Sequence, residues 1–377
     1  MKAVILVGGE GTRLRPLTCN RPKPMQPMAN RPFIEHVFAH LIRHGIRDII
    51  LSMCYLPGLI EEYFGDGRRF GVNLTYVCED TPLGTAGAVK NVERYLDSTF
   101  LVLNGDILTD LDLTAMLAFH RERRAALTIA LTPVEDVRAY GLVEIDADQR
   151  IHRFIEKPQS LDGITTNLVN AGTYILEPHT LRYAPANEFY MFERGLFPTL
   201  LEEGERLFGY PSHAYWLDIG TPQKYQQGNF DILTGAARTT VPGTAIADGI
   251  YAEAECQIAP DAQLIGPIVL GNRCVVAAGA RIVGPAVLGD GCVIGPGASI
   301  ERSVLWQRVK VSGVSDRLAA AKLCGCIVAN DCEIGPGSFI GEQVVISDHC
   351  VVGAENHLER GLRLWPHRTL EPKTITF

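Results

Sequence analysis

Residues Leu264–Ile300 read LIGPIVLGNRCVVAAGARIVGPAVLGDGCVIGPGASI, and this stretch decides the fold of the C-terminal part of the chain. An aliphatic residue recurs at every sixth position, and a small or apolar residue follows it four positions later. Glycine, proline, aspartate and asparagine fill the positions between them. Because six residues make one short strand plus a turn, three such repeats predict one triangular coil of parallel strands.

The six-residue spacing continues in both directions and breaks once. Its first run of positions is Ile258, Leu264, Leu270, Val276, Ile282, Leu288, Ile294, Ile300 and Trp306. It resumes at Val328, Ile334, Ile340, Ile346 and Val352. The separation of Trp306 from Val328 is not a multiple of six, so we expect an inserted loop at 311–325. The pattern resembles the left-handed parallel β-helix of hexapeptide-repeat proteins.

Four cysteines follow the same repeat. Cys274 and Cys292 are eighteen residues apart, as are Cys332 and Cys350, which places each pair on one face of successive coils. We interpret them as small core residues rather than as disulfides or metal ligands. We expect no export signal, because the apolar run at the N-terminus is too short for a signal peptide, and ten cysteines in 377 residues are too few for a disulfide scaffold. We therefore expect reduced thiols in a cytoplasmic protein.

The first part of the chain alternates short β-branched runs with amphipathic segments. The strands predicted up to residue 131 are Ala3–Val7, Asp48–Met53, Leu74–Cys78, Phe100–Asn104 and Ala126–Leu131. The helices predicted between them are Phe33–His44, Leu59–Phe64, Ala86–Leu96 and Leu113–Arg123. This alternation predicts a doubly wound α/β sheet, mostly parallel, with an α+β region after Tyr140. We expect a catalytic domain at 1–235, a linker at 236–250 and a β-helix domain with a C-terminal tail at 251–377.

The charge of the chain limits its partners. Its formal net charge is −8, which argues against non-specific binding to nucleic acid or to an anionic membrane. No apolar run is long enough to span a bilayer. Residues 8–23 are the exception to the acidic balance, since they hold four Lys or Arg against one Glu. An anionic ligand would therefore bind at a locally basic site.

That basic segment follows the first predicted strand and reads GGEGTRLRPLT (Gly8–Thr18), then RPKP (Arg21–Pro24). Glycines allow backbone N–H groups to approach a phosphate closely, and Arg and Lys side chains supply positive charge. The loop is neither a dinucleotide fingerprint nor a Walker A loop, because the last glycine of the first and the Gly-Lys-Ser/Thr of the second are missing. We predict phosphate binding by Gly8, Gly9, Gly11, Thr12, Arg13 and Lys23.

The loop closely resembles the signature of the sugar-phosphate nucleotidyltransferases. The resemblance continues through LGTAGAV (Leu83–Val89), NGD (Asn104–Asp106), FIEKP (Phe154–Pro158), NAG (Asn170–Gly172) and WLDIG (Trp216–Gly220). It implies a Rossmann-like nucleotidyltransferase domain with a mixed, mostly parallel sheet, followed by a C-terminal left-handed β-helix of hexapeptide repeats. It also implies nucleotidyl transfer from an NTP to a sugar 1-phosphate, with release of pyrophosphate.

The resemblance assigns roles to individual residues. Arg13, Lys23, Asp106, Lys157 and Asp218 would be catalytic, with Asp106 and Asp218 holding Mg²⁺. Two carboxylates beside a triphosphate suit this hard cation. The sugar 1-phosphate would contact Gly141, Glu156, Lys157 and Asn170.

The base would lie near Glu79, Gly84 and Thr85, after the strand predicted to end at Cys78. A carboxylate suits guanine, whose N1–H and N2–H₂ groups are adjacent donors. Together with RIHRFIEKP and NAGTYIL, the chain looks most like the GDP-mannose pyrophosphorylases. We therefore favour GTP and mannose 1-phosphate as substrates.

Several alternatives stay open from sequence alone. One is a thymidylyl-, uridylyl- or adenylyltransferase that acts on glucose 1-phosphate. Another is a non-catalytic regulatory paralogue that binds a nucleotide sugar. A third is a second, acyltransferase activity of the β-helix, with His349 or His357 as the base. We expect the β-helix to serve mainly in homo-oligomerisation or effector binding.

Overall fold

The computed structural model describes residues 1–158, 160 and 164–376, and the chain divides into two compact units. Unit 1 comprises Met1–Glu10 and Val37–Asp218, and unit 2 comprises Gly11–His36 and Ile219–Phe377. The catalytic domain at 1–235, the linker at 236–250 and the β-helix domain at 251–377 follow different boundaries and stay a prediction. Within the described ranges, no helix combines the length and the apolar character that crossing a membrane requires.

Unit 1 is built on a nine-stranded sheet, and its mixed character confirms the prediction from the sequence. Its central strand, Lys2–Leu6, pairs in parallel with Asp48–Met53 on one side and with Phe100–Asn104 on the other. The core of this strand is apolar on both faces, which is typical of a strand buried between helices. In order across the sheet, the main path is Ile151–Glu156, Gly141–Ile145, Leu168–Leu176, Phe100–Asn104, Lys2–Leu6, Asp48–Met53 and Asn73–Cys78.

The strand Leu168–Leu176 marks the change from parallel to antiparallel pairing. It runs antiparallel to Phe100–Asn104, to Gly141–Ile145 and to Leu127–Pro133. Leu127–Pro133 in turn pairs in parallel with Leu207–Pro211. The sheet is therefore mostly parallel in its first half and mixed after residue 140.

The α-helices of the first 235 residues are Phe33–Arg43, Pro57–Phe64, Gly84–Asn91, Leu113–Glu122, Phe197–Glu202 and Pro222–Leu233. The predicted helix Ala86–Leu96 was too long, because the α-helix ends at Asn91 and a separate 3₁₀ turn covers Glu93–Tyr95. Other 3₁₀ turns cover Thr12–Leu14, Lys23–Met25, Arg68–Phe70, Val137–Ala139 and Pro178–Tyr183, and a π-helical turn covers Phe192–Leu196.

Unit 2 contains the predicted β-helix, whose strands form three sheets. The first sheet contains Thr244–Ala247, Ile250–Ala252, Ile268–Leu270, Ala286–Leu288, Val304–Leu305, Ile327–Val328, Val345–Ile346 and Arg363–Leu364. The second contains Gln257–Ile258, Val275–Val276, Val293–Ile294, Lys310–Val311, Glu333–Ile334, Val351–Val352 and Thr369–Leu370. The third contains Gln263–Ile265, Arg281–Val283, Ser299–Glu301, Lys322–Cys324, Phe339–Ile340 and His357–Leu358.

Aliphatic residues at the six-residue spacing fill the interior of these coils. Cys274, Cys292, Cys332 and Cys350 are fully buried in the same core, as expected for small core residues. Each of their thiols contacts a backbone carbonyl oxygen, such as the contact of Cys274 Sγ with the Gly289 oxygen at 3.2 Å.

The prediction that Trp306 fills the interior was wrong. The strand Val304–Leu305 pairs with Val287–Leu288, so this coil advances by one residue less than the preceding one. Leu305 therefore occupies the interior position, and Trp306 points to the outside of the coil, where its Nε1–H donates to the Tyr225 hydroxyl at 2.9 Å. The coil is one residue shorter at the corner Arg302–Ser303.

The inserted loop lies where the broken spacing predicts it. Lys310–Val311 ends one strand and Lys322–Cys324 begins the next, and the loop between them occupies the interval. The strands on either side keep their register, because Lys310 pairs with Glu333 and Ser299 pairs with Lys322. The coil therefore absorbs the extra residues at one corner without losing its three-sheet pattern.

We predict that buried His36 makes the protein sensitive to mild acid. Its Nε2 contacts the Met28 carbonyl oxygen and its Nδ1 contacts the Thr239 hydroxyl, both at 2.9 Å. Burial lowers the pKa of His36 from 6.5 to about 4. The unfolded chain therefore binds a proton more readily, and stability is lost as pH falls from 6.5 towards 4. The expected loss from this residue is about 2–3 kcal/mol.

Thermal melts at pH 7.5 and pH 4.5 would measure this effect. His36→Gln should reduce the difference in Tm between the two pH values, whereas His213→Gln, at an exposed position, should leave it as in the wild type. Some dependence should persist in His36→Gln, because burial lowers the pKa of His40 to about 3. An equal pH dependence in His36→Gln and the wild type would contradict the prediction.

Candidate active site

Asp106 and Asp218 are brought together by a short pair of strands in unit 1. Ile107–Thr109 pairs antiparallel with Trp216–Asp218, and the register places Asp218 opposite Ile107, next to Asp106. Both aspartates are half-buried. The indole N–H of Trp216 also donates to the Ala171 carbonyl oxygen at 2.9 Å, which ties this ribbon to the main sheet. Asp218 thus ends one strand of this pair, and Asp106 lies in the turn just before the other strand, beyond the carboxyl end of Phe100–Asn104.

The turn before Asp106 requires a glycine. The N–H of Gly105 donates to the Leu6 carbonyl oxygen at 2.9 Å. A Cβ atom at this position would lie 2.6 Å from the same oxygen and 2.6 Å from Cγ1 of Val7. The absence of a side chain therefore lets the chain turn tightly over the central strand and present Asp106 beyond its end.

No group of three or more His, Cys, Asp and Glu side chains is arranged to hold a metal among residues 1–158, 160 and 164–376. The aspartate pair nevertheless fits Mg²⁺ chemically, because this cation prefers oxygen ligands and usually completes its shell with water and substrate phosphates.

Three of the four predicted sugar-phosphate residues border one pocket. Gly141, Glu156 and Asn170 line it together with Glu193 and a wall of apolar side chains. A Cβ atom at Gly141 would lie 2.8 Å from Oε2 of Glu156, so the glycine makes room for this carboxylate. Asn170 is held by two hydrogen bonds, from the Gly172 N–H to its Oδ1 and from its Nδ2 to the Tyr174 hydroxyl, each 2.9 Å. The pocket thus offers fixed polar groups on an apolar background.

Lys157, the fourth of these residues, follows directly after the strand Ile151–Glu156. Its backbone is left-handed, with φ of 44°, and its N–H donates to the Tyr140 carbonyl oxygen at 3.2 Å. Such a backbone is uncommon outside glycine and often marks a functional turn. The ammonium group lies 3.5 Å from the Glu156 carboxylate and its side chain is 58% exposed. Lys157 is therefore accessible to an anionic ligand at the edge of the pocket.

Glu193 is a pocket residue that the sequence did not reveal. It lies in the π-helical turn Phe192–Leu196, a local structure that is frequent at functional sites. Burial, and secondarily the charge of Glu156, raises the pKa of the Glu193 carboxyl. The sequence shows only a Glu in FERG (Phe192–Gly195), without a motif that singles it out. A second carboxylate beside Glu156 adds an acceptor for the hydroxyl groups of a ligand.

Glu79 lies after the strand Asn73–Cys78, close to the first glycine of the signature loop. Its Oε1 accepts a hydrogen bond from the Ser52 hydroxyl at 3.0 Å, and its Oε2 accepts one from the Leu83 N–H at 2.9 Å. A Cβ atom on Gly8 would be 3.9 Å from Oε1, whereas one on Gly9 would have no neighbour within 4 Å. Since a carboxylate has about four acceptor sites, Glu79 keeps capacity for a ligand.

Gly84 and Thr85 begin the helix Gly84–Asn91. Gly84 has φ of +72°, and a Cβ atom there would lie 2.8 Å from the Tyr190 carbonyl oxygen. The Thr85 hydroxyl accepts a hydrogen bond from the Phe192 N–H at 2.9 Å and donates to Glu193 at 3.5 Å. The Thr85 side chain therefore connects this helix to the turn that carries Glu193, while its predicted role in nucleotide binding stays a prediction.

The remaining predicted residues belong to unit 2. Gly11 has φ of 62°, and its carbonyl oxygen accepts a hydrogen bond from the Thr18 hydroxyl at 2.9 Å, so the loop folds back on itself. Thr12 and Arg13 are exposed, whereas Lys23 is buried. A Cβ atom on Gly220 would lie 2.9 Å from Nη2 of Arg13, so this glycine leaves room for the guanidinium group.

Both histidines considered for acyl transfer lie on the β-helix. His349 stacks on His367 with ring centroids 4.9 Å apart, and His357 Nε2 lies 2.9 Å from the Glu359 carboxylate. Both histidine side chains thus contact other residues of the β-helix, and these contacts account for their positions without an acyltransferase role.

The chain is similar to known proteins. The family model described as nucleotidyl transferase matches residues 2–235. The mannose-1-phosphate guanylyltransferase of Mycobacterium tuberculosis (strain H37Rv) is 39% identical over 271 residues, which are 71% of this chain and 74% of the relative. The UTP–glucose-1-phosphate uridylyltransferase of Synechocystis sp. (strain PCC 6803) is 36% identical, with 72% of this chain and 74% of the relative covered.

A solved structure is also similar. The crystal structure of HddC from Yersinia pseudotuberculosis complexed with GMP-PN has 31% sequence identity and a TM-score of 0.54. The match covers 61% of this chain and 99% of that one.

The geometry of the turn at Gly105 leads to a stability prediction. Gly105→Ala places a methyl group against the backbone of the central strand, so we expect a loss of about 1–3 kcal/mol, seen as a lower Tm. Gly58→Ala is the matched control, because a Cβ atom there has no neighbour within 4 Å and the residue lies in the helix Pro57–Phe64. Equal Tm values for the two variants would show that the turn tolerates a side chain.

Proposed function

The chain belongs to the nucleotidyl transferase family and is a sugar-1-phosphate nucleotidyltransferase, and we propose that its substrates are GTP and mannose 1-phosphate. The products would be GDP-mannose and pyrophosphate. The observation that carries the proposed mechanism is the pairing of Ile107–Thr109 with Trp216–Asp218, which joins the two predicted metal ligands. The choice of substrates is supported by the mannose-1-phosphate guanylyltransferase relative and by Glu79 after its strand.

The proposed reaction needs no protein nucleophile. The second pKa of a phosphate monoester is about 6, so its oxygen is already anionic at neutral pH and can attack the α-phosphorus of the NTP directly. The main obstacles are the alignment of the two substrates and the repulsion between their negative charges. Arg13 and Lys23 would neutralise the triphosphate, and Lys157 would neutralise the sugar phosphate. Pyrophosphate then leaves opposite the attacking oxygen.

Mg²⁺ would be held by Asp106 and Asp218 and would supply further neutralisation of phosphate charge. Asp218 ends the strand Trp216–Asp218, and Asp106 lies in the turn before the paired strand, where the backbone of Gly105 is hydrogen-bonded to Leu6. The two carboxylates support the proposal that a metal binds here.

Sugar recognition would depend on the pocket of unit 1. Glu156 and Glu193 can accept hydrogen bonds from sugar hydroxyls, and the Asn170 side chain is fixed by Gly172 and Tyr174. Apolar side chains such as Leu142 and Phe197 border these polar groups in the same pocket. Lys157, at the exposed edge of this pocket, is placed to bind the phosphate rather than the ring.

We also propose an assembly state and a cellular location, both from the sequence. The β-helix would mediate self-association, and the protein would work in the cytoplasm with its cysteines reduced. All ten cysteines are free thiols in this structure.

A substrate screen tests the proposed function. GTP, UTP, dTTP and ATP are each combined with mannose 1-phosphate and with glucose 1-phosphate, and pyrophosphate release is measured. We expect the highest kcat/KM for GTP with mannose 1-phosphate. A preference for UTP or dTTP with glucose 1-phosphate would contradict the proposed substrates but not the reaction class. Tight nucleotide-sugar binding without turnover of any pair would favour a regulatory paralogue.

Lys157→Ala should mainly weaken binding of the sugar phosphate. Loss of a charge-assisted hydrogen bond predicts a rise of about 10- to 100-fold in KM for the sugar 1-phosphate, with a smaller change in KM for the NTP. Lys373→Ala is a suitable control, since this lysine is an exposed residue of the β-helix paired with Glu355. A selective rise in KM for the NTP would instead show that Lys157 binds the nucleotide.

A further inference from the structure

The segment Gly11–His36, which carries Arg13 and Lys23, belongs to the same compact unit as the β-helix. We refer to Gly11–His36 as the signature segment. Before the helix that begins at Phe33, its secondary structure consists of two 3₁₀ turns and one hairpin whose strands have two residues each. A segment with so few internal backbone hydrogen bonds depends on its surroundings for a defined shape.

The last coils of the β-helix contact the start of this segment. The hydroxyl of Ser347, which is 1% exposed, donates to the Pro16 carbonyl oxygen at 2.9 Å. Nη1 of Arg363 donates to the adjacent Arg15 carbonyl oxygen at 2.8 Å. Two consecutive carbonyl groups, two and three residues after Arg13, are therefore fixed by side chains from residues more than 300 positions later in the chain.

Further contacts hold the middle and end of the segment. The Tyr225 hydroxyl donates to the Pro27 carbonyl oxygen and accepts a hydrogen bond from Trp306 at 2.9 Å. The Arg21 guanidinium lies 5.7 Å from the centre of the Trp306 ring, within the range of a cation–π interaction. The Asn30 side chain donates to the Leu288 carbonyl oxygen at 2.8 Å. The coil that is one residue short is thus the coil that turns Trp306 towards the signature segment.

We propose that Ser347 and Arg363 are positioning residues for NTP binding, an inference that rests on the proposed function. The β-helix then acts as the platform on which the phosphate-binding loop is held in its binding conformation. Because loop ordering costs conformational entropy, a preordered loop binds the triphosphate more tightly than a loop that must be ordered by the ligand. The residues proposed to bind the sugar 1-phosphate lie in unit 1, and none of them makes either of these two contacts.

A purely structural role of the two residues makes a different prediction. Loss of structure would lower the active fraction, and KM for both substrates would stay the same while kcat fell. A positioning role instead weakens NTP binding selectively and leaves KM for the sugar 1-phosphate unchanged. The split between the two KM values therefore separates the two roles.

The test compares the double variant Ser347→Ala/Arg363→Ala with the wild type in the full-length protein. We expect the Kd for GTP, measured by calorimetry without sugar phosphate, to rise about tenfold, since two hydrogen bonds to the loop are lost. KM for GTP should rise in parallel, and KM for mannose 1-phosphate should not change. Arg363→Lys, which keeps a cationic donor, should restore part of the affinity in the Ser347 wild-type background relative to Arg363→Ala.

The control is Arg360→Ala, which removes an exposed arginine from the same part of the β-helix. An unchanged Kd for GTP in the double variant, or an equal rise in both KM values, would overturn the positioning role. If the double variant has a lower Tm than the wild type, the Kd for GTP of the single variant Arg363→Ala decides between the two roles. Arg363 is exposed, so its replacement leaves no cavity. A wild-type protein that does not bind GTP counts against the proposed function, and the comparison is then made with the NTP that the screen selects.

Discussion

The parallel pairing of the central strand Lys2–Leu6 with both of its neighbours is the constraint on which the site in unit 1 depends. Leu6 is in register with Ser52 on one side and with Asn104 on the other, so three strands end at the same edge of the sheet. The glycine-rich loop leaves this edge after Val7, and the turn to Asp106 leaves it after Asn104. The fixed register thus places the ends of two strands that are about 100 positions apart in the chain side by side at this edge.

Much of this arrangement could be predicted from the sequence because it follows from local pattern. Alternation of apolar strands with amphipathic helices fixes the order of the elements, and the carboxyl ends of parallel strands then indicate where a ligand binds. The six-residue repeat is equally local, because every coil buries the same kind of residue at the same position. The interior residues from Leu270 to Ile300 and from Val328 to Val352 were predicted correctly for this reason.

The errors and omissions come from features that the periodicity of the sequence does not show. Trp306 fits the spacing of the repeat, but the coil is one residue short, and only the pairing of Val304–Leu305 with Val287–Leu288 reveals that Leu305 fills the interior. Glu193 acquires its place in the pocket lined by Gly141, Glu156 and Asn170 from a π-helical turn, whose extra residue per turn leaves no periodic signature. Neither the change in coil length nor the turn could be deduced from neighbouring residues.

The acidic net charge of the chain and the basic charge of the signature segment act on different kinds of anion. A net charge of −8 repels polyanions, while four Lys or Arg residues between positions 8 and 23 attract a small anion at one place. Four like charges in a short segment also repel one another, so this segment is costly to hold in a compact conformation without external contacts. The Trp306 ring lies under the Arg21 guanidinium, and hydrogen bonds from Ser347 and Arg363 hold the backbone of the segment without neutralising its charge. Within unit 2, the β-helix therefore supplies backbone and ring contacts to the segment in which the positive charge of the chain is concentrated.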